Sequence, residues 1–196
     1  MTLTPAPPAT DLRTRAARYS PAQQRTIAAA LDLFADHGVG GTSLQMIADA
    51  VGVTKAAIYH QFKTKEAIVL AVAEVELVNL EDALAEAEAL PPEEGRFHLL
   101  ERVVDVAIER RRWVNALQGD PVMIRLLGEH EPFVDLMNRV YSLLLGEQAD
   151  DASLMRTAIV SAAIGAAIVH PIVAHFDDET MRAELLDVLR RLFHLP

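Results

Sequence analysis

An all-α protein of two domains is what this sequence predicts, on three observations. Apolar residues recur at helical spacing (i, i+3 or i+4, i+7) along the chain, and no segment shows the alternation of a strand. Helix starts are marked by capping residues and helix ends by Gly or Pro. Charge is divided unevenly. The 196 residues carry a net charge of −10, yet residues 1–66 hold seven Lys and Arg against five Asp and Glu, and the remainder eleven against 23. About nine helices are expected, in a flexible N-terminal arm (1–19), a three-helix domain with a helix-turn-helix (20–66) and a larger helical domain (67–196).

The opening MTLTPAPPATDLRTRAARY is Pro-rich and lacks an apolar signal core, so it reads as an arm, not an export signal. Its Arg13, Arg15 and Arg18 either reach phosphates or stay solvated. The first helix starts where Ser20 can cap, Pro21 loses no hydrogen bond and Gln23 can reach back to the cap. Ile27, Leu31 and Phe34 form its apolar stripe, and Gly38 ends it. Thr42 and Gln45 pair as a second capping box ahead of Leu44, Ile47, Ala48 and Val51, and Gly52 stops that helix. Only Gly52 and Val53 precede Thr54, the next cap, so the second and third helices turn sharply as a helix-turn-helix. In the third helix Ile58 and Phe62 point inward. Thr54, Lys55, Tyr59, His60 and Gln61 offer donors, acceptors and a flat ring outward, a face suited to base edges in a major groove.

These residues resemble the TetR-type one-component transcriptional regulators. The resemblance rests on Gly38, Thr42, Ile47, Ala48, Gly52, Val53, Thr54, Tyr59, Phe62, Lys65 and Glu66 in that order and spacing, about a quarter of the chain. It departs from the family at Ala56, where Gly is common, and at Val39, where an aromatic is common. The resemblance implies phosphate contacts by Thr42, Tyr59 and Lys65, and base reading by Lys55, Ala57, His60 and Gln61, with Thr54 at the head of the reading helix.

Beyond residue 66 a long helix is expected from Lys65 to about Leu90, ended by Pro91-Pro92, then another from Glu93 to Arg112. Shorter helices follow around Gly119, Pro121 and Gly128, and then a clean stripe of Phe133, Leu136, Met137, Val140, Tyr141 and Leu144. The segment Ala158 to Phe176 is nearly uncharged and approaches the ~20 residues that span a bilayer. Ser161, Gly165, His170 and Pro171 dilute it and no basic cluster flanks it, so a helix buried in protein is expected instead. Its Ala162, Gly165 and Ala166 allow another backbone close. With the last helix (Met181, Leu185, Leu186, Leu189, Phe193) it is similar to the pair through which the family forms homodimers. The resemblance thus implies an interface at Ala162, Gly165, Ala166, Leu185 and Leu189.

Catalysis is not expected. The chain has no cysteine, Glu129-His130-Glu131 points in divergent directions on a helix, and His170 and His175 are separated across Pro171. Ser153 and Ser161 lack a nucleophile-elbow context, and no Gly-rich phosphate loop follows a strand. No cofactor or metal is expected. The reading is a cytoplasmic, dimeric, ligand-responsive repressor that binds double-stranded operator DNA and releases it to a lipophilic or aromatic effector. The effector pocket is expected among the middle helices, near His98, Trp113, Met123, Met137, Tyr141 and His170, with Arg125 or His170 able to anchor a carboxylate. A DNA-binding dimer without small-molecule input, and an enzyme or carrier retaining the fold, are the alternatives.

Overall fold

A computed structural model describes residues 12–145 and 150–193. Among them the chain forms twelve α-helices and one short 3-10 turn: α1 (Leu12–Ala16), α2 (Pro21–Gly41), α3 (Leu44–Val51), α4 (Lys55–Gln61), α5 (Lys65–Glu76), α6 (Val78–Glu88), α7 (Pro92–Glu109), α8 (Arg111–Gly119), α9 (Pro121–Gly128), α10 (Glu131–Leu145), α11 (Asp151–Val169), the turn Pro171–Val173, and α12 (Asp178–Phe193). None of the described residues is in a strand.

The start of α2 matches its sequence signature. Ser20 Oγ accepts from the Gln23 N–H at 3.3 Å, and Gln23 Oε1 accepts from the Ser20 N–H at 3.0 Å. Gly38, at φ 70°, breaks the helical path there, and one further turn runs on to Gly41. The next cap is shifted by one residue from the expected Thr42. Ser43 caps α3, its hydroxyl accepting from the Met46 N–H at 3.2 Å. Thr42 is buried and donates back to the carbonyls of Gly38 and Leu33, at 2.8 and 3.1 Å. Two adjacent hydroxyl residues leave the choice of cap to tertiary packing, and the first of them faces inward.

Residues 12–19, expected in the flexible arm, are docked instead; residues 1–11 lie outside the described part. Leu12 is 1% exposed, Arg13 pairs with Asp82, and Arg15 Nε meets Glu74 at 2.7 Å. The partners lie about sixty or seventy residues away on α5 and α6, and such pairing leaves no local mark.

The expected long helix from Lys65 to Leu90 is two, α5 and α6, joined at Leu77. Beyond the turn at Pro91, α7 returns along α6 so closely that a Cβ on Gly95 would lie 2.3 Å from the Ala87 carbonyl oxygen. Near the C-terminus α11 starts earlier than expected and stops at Val169, ahead of Pro171, which cannot continue a helix. His170 caps the short turn instead, Nδ1 accepting from the Ile172 N–H at 3.2 Å. One continuous core results, in which Phe34, Ile47, Ile58, Ile68, Leu84, Leu99, Leu100 and Leu127 are all under 2% exposed. Each such side chain is worth roughly 1.5–3 kcal/mol of transfer energy.

Candidate nucleic-acid interface and adjoining cavity

The turn between α3 and α4 is fixed by Gly52, left-handed at φ 76° and ψ 34°, a conformation that Gly adopts without the Cβ penalty. The Val53 N–H reaches back to the Ala48 carbonyl at 2.9 Å, closing α3 in a Schellman-like end. Thr54 then caps α4, its hydroxyl accepting from the Ala57 N–H at 3.2 Å. Ile58 and Phe62 anchor the helix inward, as expected.

The other face of α4 is open. Thr54, Lys55 and His60 are exposed, Tyr59 is 45% exposed, and Ala57 is half-buried among them. Lys55 Nζ lies 5.8 Å from the centre of the Tyr59 ring, so a cation and a phenol share one patch. Three other expected DNA contacts are engaged inside the protein. Gln61 is half-buried; Thr26 donates to its Oε1 at 2.9 Å and Gln23 to its carbonyl at 3.4 Å. Lys65 donates through Nζ to the carbonyls of Val39 and Thr42, at 2.5 and 2.9 Å. Thr42 is the buried residue described above.

These carbonyls sit near where α2 packs against α8 and α9. Arg112 bridges Asp32 and Asp36 of α2, at 2.8 and 3.1 Å, and Asn115 Nδ2 donates to the Ala35 carbonyl at 3.1 Å. Asp120, 6% exposed, joins both sides. Its Oδ2 accepts from the Val39 N–H, and its Oδ1 caps α9 by accepting from Val122 at 2.8 Å and Met123 at 3.3 Å. Burial opposes ionisation of Asp120, but the N–H donors of Val39, Val122, Met123 and Gly40 outweigh it and hold the carboxyl below its ordinary range. A Cβ on Gly38 would come within 3.0 Å of Asp120 Oδ2. Sequence reading did not single out Asp120, although Asp before Pro121 is a readable N-cap signal.

A second buried contact lies on the other side of α5. Glu74 accepts from Arg15, from Tyr19 Oη at 2.5 Å, and faces His130 Nε2 at 3.4 Å. Burial and the Glu74 carboxylate push the Tyr19 phenol up. Burial depresses His130 despite the carboxylate beside it.

Between α5, α6, α7, α8, α10 and α11 lies a cavity of about 760 Å³, large enough for a drug-sized molecule. Trp113, Met137 and Tyr141 line it, as expected. The other three expected residues do not. His98 pairs with Glu86 on the surface at 3.1 Å, Met123 is packed in the core, and His170 is exposed as a cap. Helical periodicity marks inward positions but not which of them face a void. The polar lining was missed: Glu76, Arg110, Gln118, Thr157 and Ser161. Arg110 Nη1 lies 3.8 Å from Glu76 Oε2, and burial raises the Glu76 carboxyl against that guanidinium. Tyr141 Oη and Ser161 Oγ are 3.3 Å apart.

The expected contact residues of the last two long helices divide. Gly165 is buried within the chain: a Cβ there would collide with the Gln118 side chain of α8. Leu189 is 3% exposed and Leu185 half-buried, so both mainly pack inward. Ala162 and Ala166 are exposed, and beside them Met155, Ile159 and Val169 give α11 an open apolar stripe, at 61, 54 and 36% exposure. Val188 and Leu192 do the same for α12. Among the described residues no helix is long and apolar enough to cross a membrane, and no group of three or more His, Asp or Glu could hold a metal ion.

Residues 27–72 match the family described as bacterial regulatory proteins, tetR family. The chain is similar to the HTH-type transcriptional regulator AcrR of Shigella flexneri, 37% identical over 97 residues that cover 46% of this chain and 44% of that protein. It is also similar to the HTH-type transcriptional repressor AcnR of Corynebacterium glutamicum, 29% identical over 60% of this chain and 62% of that one. The chain thus spans less than two thirds of the length of these curated relatives. In fold it is similar to a TetR-like transcriptional regulator from Rhodococcus sp. RHA1, with a TM-score of 0.67 at 22% identity, covering 87% of this chain and 95% of that one. The ketosteroid transcriptional regulator KstR2 of Mycobacterium tuberculosis gives 0.67 at 15% identity, over 90% and 95%.

Proposed function

We propose, for a chain that belongs through its N-terminal domain to the TetR family of bacterial regulatory proteins, that it is a dimeric repressor whose hold on operator DNA is set by a lipophilic effector. The observation that carries this reading is the open face of α4, where Lys55, Tyr59 and His60 stand exposed on a helix anchored by Ile58 and Phe62. Lys55 and His60 would read base edges, and Tyr59 would hold a phosphate. Two such heads would engage half-sites about one helical turn apart, ~34 Å.

The open apolar stripes of α11 and α12 suit a twofold contact with a second copy, which would fix the spacing of the heads. The cavity adjoins the seam between the domains: Gln118 and Ile124 line it, and Asp120 lies between them in sequence. An effector that prefers a different setting of α8 and α9 would therefore act on the Val39 end of the first domain, its leverage being its differential affinity for the two settings. Sequencing the genomic fragments retained by the purified protein tests the DNA reading; we expect a short palindromic site. Retention of random fragments, or of none, would overturn it.

A further inference from the structure

Two of the polar residues in the cavity wall carry buried atoms without a partner. Arg110 Nε and Thr157 Oγ1 are shielded from solvent, and neither makes a hydrogen bond; Thr157 as a whole is 6% exposed. A buried donor left unpaired is destabilising, and a ligand that brings acceptor oxygens relieves that cost. Two unpaired N–H and O–H groups in the lining of one mainly apolar cavity favour a ligand that brings acceptors.

The guanidinium narrows the choice further. Nε belongs to the side-on edge of the fork, which matches the two oxygens of a carboxylate. Glu76 approaches at Nη1, and its 3.8 Å separation is beyond hydrogen-bond reach. Glu76 also ends α5, where the helix dipole disfavours a negative charge, and its burial favours the neutral acid. It is a poor counter-ion for Arg110. Every other described residue lining the cavity is uncharged, so Arg110, its side chain 39% exposed, is the one cation in the lining, and its Nε is without a hydrogen bond.

Resting on the reading of this cavity as the effector site, we infer that its ligand is a lipophilic monocarboxylate, the head taken side-on by Arg110 and by the Thr157 hydroxyl, the apolar body lying along Trp113, Phe133 and Met137. Both donors are covered, so the head engages them by turning the Arg110 and Thr157 side chains toward it.

Trp113 is the single tryptophan and lines the cavity, so its fluorescence reports binding in the full chain. The probes are decanoate, decanol and decylammonium, three heads on one tail. Decanoate should bind at least tenfold tighter than the other two. Arg110→Gln should weaken decanoate tenfold or more while leaving decanol within twofold, which also certifies that the variant is folded. Thr157→Val should weaken decanoate about threefold. Equal binding of the three heads, preference for the ammonium, no binding at all, or an Arg110→Gln variant that keeps decanoate would each overturn the inference. DNA retention is measured separately. Decanoate that binds through Arg110 without releasing DNA leaves the carboxylate site standing and defeats the effector reading; release of DNA by all three heads alike does the reverse.

Discussion

Lys65 shows how one ammonium can serve two readings that a measurement separates. Held by the carbonyls of Val39 and Thr42, it ties the end of α2 to the start of α5. Lys65→Met leaves those acceptors unmet, and we expect a loss of about 1–3 kcal/mol in stability by denaturant unfolding. A phosphate contact would instead show as a fall of roughly one in the salt slope of DNA binding, and we expect that slope unchanged. His130 gives a pH signature. Its folded pKa lies below the ordinary 6.5 because it is buried, so the unfolded chain binds the proton first. Its contribution to stability is whole above about 6.5 and is lost as the pH falls from there through the lower folded pKa. Glu76, raised by burial, acts in the opposite sense: its folded form holds the proton longer, so stability is lost as pH rises above 4.5. The comparison is therefore between the protein and His130→Gln: between pH 7 and 5 the melting temperature should fall further in the unsubstituted chain.

At the scale of the helix, α4 is where sequence and structure agree most closely. Its cap, its two anchors and most of its exposed face are set by neighbours within eight residues, which is why they could be read; Gln61, held by the distant Thr26, is the exception. Tyr59→Ala should weaken binding to every DNA sequence by a similar factor, and His60→Ala should narrow the gap between the preferred site and others by about 1–3 kcal/mol per base pair read. Competition assays on matched and mismatched duplexes distinguish the two. The less legible elements share a cause. The docking of α1 depends on Glu74, Glu81 and Asp82; the bend at Leu77 and the burial of Gly165 against Gln118 depend on helices far away in sequence. Amphipathic spacing places Met137 and Tyr141 on an inward stripe, and Trp113 is a candidate for its large apolar ring; all three line the cavity. The same spacing passes over Glu76, Arg110 and Thr157, whose polar ends give no periodic signal, although they give the cavity its chemistry.

For the molecule as a whole, the first 66 residues hold seven Lys and Arg against five Asp and Glu and the rest eleven against 23; on the DNA-binding reading proposed above, the acidic part would face away from the polyanion. The apolar stripe of α11 is the feature to test at this scale. Ile159 is 54% exposed, so Ile159→Glu should leave the fold intact while placing a carboxylate in each half of a twofold contact. We expect dimers to dissociate in sedimentation, with helical content kept, whereas Gly165→Leu should disturb the fold itself by striking Gln118. Asp120 has a consequence at the same scale. One short side chain caps the start of α9 and also holds the backbone of α2 at Val39. Because one carboxylate of fixed length makes both contacts, the Val39 backbone and the start of α9 are held at one separation. Lengthening the side chain by a methylene, as in Asp120→Glu, keeps the charge but spoils the fit, so the joint is set by reach, not by sign.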